Sequence, residues 1–285
     1  MRIFAPYLLI RCMNTIKKYE LDLRVVAVLR LHERYVLLRL TQDEPLPPML
    51  PGQFVEVRVD GSQHTFLRRP ISINFVDRQN NELWLLVATV GEGTRWMATL
   101  QMGDVVNIVG PLGHGFSGPS VFSDPSGGTA WHSEGGQVLL VGGGVGVAPL
   151  LYQGAALKEA GVQVVFLLGA RTGKDLLLLD EFRKYGEVLI TTEDGSVGER
   201  GFVTQHTVLQ KRRFQLIQSC GPTPMMKSVA RYADQVDTPC EVSLENMMAC
   251  GLGACLCCVE KTVEGNLCVC KEGPVFNIKK LLWQS

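Results

Sequence analysis

Six of the nine cysteines in this 285-residue chain lie between Cys250 and Cys270. They stand as Cys250-Gly-Leu-Gly-Ala-Cys255-Leu-Cys257-Cys258, followed by Cys268 and Cys270. So many thiols in one short stretch need a common centre, and the spacing indicates which. Cys250, Cys255 and Cys258 make a C-x4-C-x2-C pattern, which holds a [2Fe–2S] cluster when a fourth Cys follows further along the chain. Bridging sulfides and four thiolates leave such a cluster anionic, so a tight Gly-rich loop that offers backbone N–H groups to the sulfurs stabilises it. Gly251 and Gly253 can take positive φ without strain, and Ala254 is small enough to keep the chain close to the inorganic core. C-x4-C-x-C is also present, so Cys257 competes with Cys258, and Cys268 competes with Cys270.

Other uses of these thiols fit less well. A structural zinc site would use Cys-x2-Cys pairs but usually lacks the Gly-x-Gly-x-Cys spacer. Disulfides would suit a secreted chain, and nothing else in the sequence suggests secretion. Inert buried thiols describe the isolated Cys12, Cys220 and Cys240 better than a packed run.

Lys+Arg and Asp+Glu are equal at 28 each. No basic stretch carries interleaved aromatics, so nucleic acid is not the expected partner; a protein or a small molecule is. The longest apolar stretches, such as Val138 to Leu151, are broken by glycines and a proline and fall short of the ~20 residues that span a bilayer. The apolar run from Met1 to Leu9 is followed by Arg11 and by no small-residue cleavage site. The stretch MNTIKKYE from Met13 reads as an ordinary start, which makes residues 1–12 an extension or an early start. With no export signal and thiolates that need reducing conditions, a cytoplasmic protein is expected.

From Glu20 to Val109 the chain runs in short alternating or apolar segments: LRVVAVLRL, YVLLRL, GQFVEVRV, PISINFV, ELWLLVATV and DVVNIVG. Six strands at this spacing predict an antiparallel barrel or sandwich. Gly118 to Gly136 is rich in Gly, Ser and Pro without periodicity and reads as a linker or surface loop. Beyond it, apolar strands (VLLVGGG, VQVVFLLGA, EVLITTE, FQLIQSCG) alternate with helices expected near Pro149–Ala160, Leu177–Tyr185 and Thr204–Gln210. That alternation predicts a parallel sheet covered on both faces. The expected division is an N-terminal extension over 1–19, a barrel over 20–117, a linker over 118–136, an α/β domain over 137–237 and a cluster module over 238–285.

Arg69-Pro70-Ile71-Ser72 opens one barrel strand, and Gly91-Glu92-Gly93-Thr94 follows the next. An Arg fork grips a pyrophosphate, and glycine-bounded N–H groups with a Thr hydroxyl can take the remaining oxygens, so together they suit a flavin dinucleotide. Gly142, Gly143, Gly144 and Gly146 join an apolar strand to a helix, letting a dinucleotide approach the helix N-terminus. This is not a strict G-x-G-x-x-G. Cys220-Gly221-Pro222 follows another strand, and both turns should face one crevice at the carboxyl ends of the sheet.

The order RPIS with GEGT, then GPLGHGF and VGGGVGVAPLL, then CGPTPMM resembles the ferredoxin–NADP reductase superfamily, from Glu20 to Tyr232. The C-terminal ENMMACGLGACLCC…CKEGPVF is similar to the electron transfer subunits of dihydroorotate dehydrogenase B. The resemblance implies a Greek-key flavin barrel followed by a nicotinamide-binding α/β domain and a small [2Fe–2S] module. It implies that Arg69, Pro70, Ile71 and Ser72 meet FAD, that Gly93 and Thr94 close on its pyrophosphate, and that Leu86, Val87 and Ala88 line it. Many relatives have a Tyr-Arg pair where Val87 and Ala88 stand. Cys250, Cys255, Cys258 and the Cys before Gly-Pro-Val-Phe, Cys270, would be the cluster ligands.

The implied activity is an NADH-linked electron relay through FAD and the cluster in pyrimidine biosynthesis. It would serve a separate catalytic (FMN) subunit that oxidises dihydroorotate, in a heterotetramer. No side chain needs to act as general acid or base, and no catalytic residue is assigned. Cys220 and Glu245 either help place the nicotinamide or are structural. Arg171 could face a 2′-phosphate, whereas Glu193 and Asp194 would repel one, which favours NADH. Two alternatives remain: the small subunit of another flavin/iron–sulfur NAD(P)H:ferredoxin oxidoreductase or a sulfide dehydrogenase, and a zinc-stabilised binding module.

Overall fold

The alternating segments of the N-terminal half close into a barrel in the computed structural model, which describes residues 17–62, 64–118 and 136–283. Residues 1–16 of the expected extension and 119–135 of the expected linker lie outside the described residues. The barrel strands are β1 (Tyr19–His32), β2 (Tyr35–Thr41), β3 (Phe54–Val57), β4 (Arg69–Asp77), β5 (Glu82–Ala88) and β6 (Val105–Leu112). Their order is β1-β2-β5-β4-β3-β6, so the chain leaves β2 and passes over two strand positions before returning, a Greek-key winding. Alternate residues point inward: Leu23, Leu38, Leu40, Ile73, Leu83 and Leu85 are each 0% exposed. Each such side chain contributes about 1.5–3 kcal/mol relative to an exposed one. A short helix, α1 (Glu92–Met97), follows β5.

The second half forms β7 (Gln137–Gly143), α2 (Ala148–Glu159), β8 (Gln163–Ala170), α3 (Leu179–Arg183), β9 (Glu187–Thr192), β10 (Glu199–Arg200), α4 (Val208–Lys211), β11 (Leu216–Cys220) and α5 (Thr223–Gln235). It continues with β12 (Cys240–Ser243), β13 (Val259–Thr262), β14 (Gly265–Cys268) and β15 (Val275–Asn277). The sheet order is β10-β9-β8-β7-β11-β12-β15, parallel except that β15 runs antiparallel to β12. Met226, Val229, Ala230 and Ala233 of α5 recur at helical spacing and are the buried face.

Three features depart from the sequence expectation. The helix expected near Thr204–Gln210 is a 3-10 turn at Val203–Gln205 followed by α4, because His206 is extended and its Nδ1 accepts the Val208 N–H (3.0 Å). The helix expected near Leu177–Tyr185 starts only at Leu179, since Leu178 has φ +55°. Finally, β12 lies within the stretch assigned to the cysteine module, yet it extends the parallel sheet beside β11. The cysteine stretch is therefore an excursion between two adjacent strands, with β13 and β14 as its own hairpin.

The barrel and the sheet share a core. Leu37 and Leu86 of the barrel pack with Val147, Ala148 and Leu151. Asn74 Nδ2 donates to Ala148 O (2.8 Å), and the Tyr152 hydroxyl donates to Met49 O (3.1 Å). On the other side Phe54 and Leu112 pack with Cys258, Val269 and Cys270. The His114 N–H donates to Gly273 O (2.6 Å), and its ring Nδ1 contacts Lys271 O (2.6 Å).

Candidate functional site

Antiparallel pairing decides which side chains of the RPIS segment are available. Ile71 and Ile73 point into the barrel core, so Pro70 and Ser72 point to the opposite face. Across β3 they stand opposite Glu56 and Phe54 respectively. Arg69 begins the strand at the barrel mouth, beside Val59 and α1. A Cβ at Gly93 would lie 3.0 Å from Arg69 Cγ and 3.1 Å from Val59 Cγ2, so a larger residue here would push these two side chains outward. Thr94 Oγ1 accepts the Gly91 N–H (3.0 Å), and Ser62 Oγ donates to Glu92 (2.7 Å), tying the preceding loop to this turn. On β5, Leu86 packs toward the α/β half, whereas Val87 lies in the barrel core, 1% exposed. Of Leu86, Val87 and Ala88, Val87 has only backbone to offer a cofactor.

The two Gly-containing turns meet at the carboxyl ends of the neighbouring parallel strands β7 and β11. A Cβ on Gly146 would fall 2.4 Å from Gly221 Cα, and one on Gly143 would fall 2.6 Å from Met225 Sδ. Gly142 packs under Val147, and Gly144, at φ +57°, is turned toward the Tyr35 hydroxyl of the barrel. This is the strand-end crevice that open α/β sheets use for dinucleotides. Pro222 is exposed there, whereas Cys220 is 0% exposed beneath the turn. Burial pushes the Cys220 thiol well up, and Glu245 adds to this.

Arg171 and Asp194 are brought together at the ends of β8 and β9, where the Asp194 N–H donates to Arg171 O (3.2 Å). Ser196 holds the Asp194 carboxyl below the usual carboxylate range, so it is anionic at neutral pH.

In the cysteine excursion the loop takes left-handed backbone at three positions, Gly251 at φ +64°, Gly253 at φ +81° and Leu256 at φ +56°. That geometry aims N–H groups at sulfur: Leu252 N–H to Cys250 Sγ (3.3 Å) and Gly253 N–H to Cys270 Sγ (3.1 Å). The Cys270 N–H points at Cys258 Sγ (3.4 Å). Burial opposes ionisation of Cys250, but the N–H groups of Leu252, Cys255 and Ala254 and the Cys255 thiol outweigh it and bring Cys250 down to about 6. Burial and the adjacent Cys258 push Cys270 up to about 12.

Cys258 and Cys270 thus adjoin, and the Cys255 thiol helps to lower Cys250. Among the described residues no group of three or more His, Cys, Asp or Glu side chains could surround a single ion. A two-iron cluster takes two protein thiolates on each iron, and the loop offers N–H groups to the sulfurs as such a cluster needs. Cys257 is exposed, and the Cys268 N–H is held by Glu272 (2.9 Å).

Sequence reasoning passed over Glu56. It is 1% exposed, neither carboxyl oxygen has a hydrogen-bond partner among the described residues, and burial, opposed by Arg69 and Arg68, raises it to about 7. The only sequence signal was a charged residue at an otherwise apolar strand position.

A flavin-type barrel, a dinucleotide crevice and a four-thiol loop on one sheet define an oxidoreductase of the ferredoxin reductase kind. Residues 245–282 match the model of the iron–sulfur cluster binding domain of dihydroorotate dehydrogenase B, and 140–231 match that of the oxidoreductase NAD-binding domain. The chain is 39% identical over 235 residues to the dihydroorotate dehydrogenase B (NAD(+)) electron transfer subunit of Fusobacterium nucleatum, covering 79% of this chain and 84% of that one. The subunit of the same description from Streptococcus pneumoniae is 41% identical over 239 residues, with 82% and 88% covered. The chain belongs to the family of dihydroorotate dehydrogenase B electron transfer subunits. A solved NADH-dependent reduced ferredoxin-NADP oxidoreductase superposes with a TM-score of 0.79 at 29% identity, covering 95% of this chain and 92% of that chain. A ferredoxin reductase in carbazole 1,9a-dioxygenase shares the fold, with a TM-score of 0.59 at 21% identity over 80% of this chain and 68% of that one.

Proposed function

We propose that this chain carries electrons between NAD(H) and a separate dihydroorotate dehydrogenase catalytic (FMN) subunit in pyrimidine biosynthesis, through FAD and a [2Fe–2S] cluster. The observation that carries the reading is the placement of Cys258 and Cys270, with Cys250 and Cys255 on the same loop, on an excursion packed against Phe54 of β3 and Leu112 of β6, β3 being the strand paired with the one that bears RPIS. Bound FAD exchanges two electrons at once with a nicotinamide and single electrons with a cluster, which is the chemistry a relay needs.

The chain's own residues do the holding. Arg69 offers its guanidinium to the pyrophosphate, with Gly93 and Thr94 beside it, and Pro70, Ser72, Leu86 and Ala88 bound the flavin seat, joined by the backbone of Ile71 and Val87. Gly142, Gly143, Gly144, Gly146, Gly221 and Pro222 admit the nicotinamide dinucleotide, and Cys220 packs beneath it. Cys250, Cys255, Cys258 and Cys270 are the cluster ligands, with N–H groups of Leu252 and Gly253 directed at the sulfurs. The acidic Glu193 and Asp194, which follow β9 where its backbone meets that of Arg171, support NADH over NADPH.

A heterotetramer with the catalytic subunit, and a cytoplasmic location, complete the reading. Among the described residues no helix is long and apolar enough to cross a membrane, and thiolate ligands suit a reducing compartment. The domains are proposed as 20–117, 137–237 and 238–285, the last two sharing one sheet through β12.

The test is anaerobic purification of the chain with whatever co-purifies. FAD and [2Fe–2S] absorbance together with a dihydroorotate-oxidising partner support the reading, and a colourless zinc protein refutes it. The 29% identity to the ferredoxin-NADP oxidoreductase over 95% of the chain favours one alternative, a subunit of such an enzyme. A ferredoxin-reducing partner in place of the dihydroorotate-oxidising one would establish that alternative.

A further inference from the structure

We propose that Glu56 is a positioning residue of the path between flavin and cluster, its buried carboxyl setting the charge that the cluster loop meets on its barrel side. The inference rests on the reading of β4 as the flavin seat and of the Cys250–Cys270 loop as the cluster site.

Strand register puts Glu56 between the two. Glu56 stands opposite Pro70, and Phe54 stands opposite Ser72, so the outward face that bears the flavin-seat residues continues directly onto Glu56. The cluster loop closes over it from the other side. A Cβ on Gly251 would fall 2.8 Å from Glu56 Cγ and 3.0 Å from Leu112 Cδ1, so the chain next to Cys250 rests on this side chain. The charged and titratable groups around the carboxyl are Arg69 and Arg68 from the start of β4 and Cys250 from the loop.

Packing does not account for a carboxyl here. Glu56 is 1% exposed, and both its oxygens lack a partner among the described residues. A Leu or Met of similar reach would fill the same space without the cost of desolvating an unbonded carboxyl. What Glu supplies and an apolar residue does not is charge at short range in a poorly screened place, where it acts on the anionic cluster far more strongly than across water. Cluster potentials respond to just such charge and burial.

The test uses the full chain with its cofactors and its co-purifying partner. Glu56→Gln keeps the shape and removes the charge. On the alkaline side of neutral, its cluster midpoint potential should lie above that of the unaltered protein, with FAD content, cluster content and the rate of flavin bleaching by NADH unchanged. Glu56→Asp, which keeps the charge, should return the midpoint toward the original value. A Glu56→Gln midpoint equal to that of the unaltered protein overturns the inference and leaves the relay standing. If Glu56→Gln does not fold, redox-difference infrared spectra of the unaltered protein decide. A carboxyl band that shifts on cluster reduction supports the role of Glu56, and spectra without one overturn it. An unaltered protein lacking FAD and cluster absorbance removes the relay itself and this inference with it.

Discussion

Cys268 and Cys270 are two residues apart and both buried, yet their surroundings differ. Cys270 Sγ receives the Gly253 N–H and touches Cys258, whereas Cys268 closes the β13–β14 hairpin opposite Val259. A ligand thiolate gains from each N–H aimed at it, and a hairpin residue does not. Cys270→Ser is expected to abolish the [2Fe–2S] absorbance of the anaerobically purified protein, while Cys268→Ser and Cys257→Ser retain it. Loss of absorbance in Cys268→Ser but not in Cys270→Ser would reverse the assignment. Position alone left both registers open, because spacing says how many residues separate two thiols and not which way each one points.

The turn between β10 and α4 is organised by His206. Burial lowers its pKa, Lys211 and Arg212 act in the same direction, and Glu199, 3.5 Å from Nε2, opposes them. Its Nδ1 is an acceptor for the Val208 N–H, a role that only the neutral ring can fill. A depressed pKa in the folded state means that the unfolded chain binds the proton first. The stabilisation is therefore present above the unfolded value of ~6.5 and is lost as pH falls from there through the folded pKa. Thermal unfolding followed from neutral to mildly acid pH should show a smaller loss of Tm for His206→Gln than for the unaltered chain. Equal losses would remove His206 as a cause. The paired turns of β7 and β11 belong to the same level of organisation: Gly146 and Gly221 let two strand ends abut so that both face one crevice.

Barrel, sheet and cysteine excursion are joined by a few buried contacts. Asn74 lies fully buried on β4 and donates to Ala148 O at the start of α2, clamping the strand proposed to seat the flavin to the turn proposed to admit the nicotinamide. Asn74→Ala leaves that clamp unmade and should cost about 1–3 kcal/mol in stability. It should also slow flavin bleaching by NADH while cluster and FAD content persist. Denaturant unfolding with stopped-flow absorbance checks both, and an unchanged bleaching rate would show that the clamp does not align the two sites. At the opposite end His114 grips Gly273 and Lys271, and the excursion is anchored by β12 and β15 on the sheet. The cysteine loop therefore has no separate core; Cys258 and Cys270 pack in the same cluster as Ile217 and Val242.

Strand alternation, the Gly-rich turns and the C-x4-C-x2-C run are local patterns with fixed periods, and they were enough to determine the six barrel strands, the parallel sheet and the chemistry of the cysteine stretch. Properties that depend on contacts between segments distant in the chain were decided only by the tertiary structure. Examples are the membership of β12 in the sheet, the inward turn of Val87, and the pairing of Cys258 with Cys270. Glu56 is the clearest case, being 195 positions before Gly251 in the chain yet directly beneath it in the fold. A strand pattern records that a side chain is buried; what it is buried against depends on how barrel, sheet and loop are folded together.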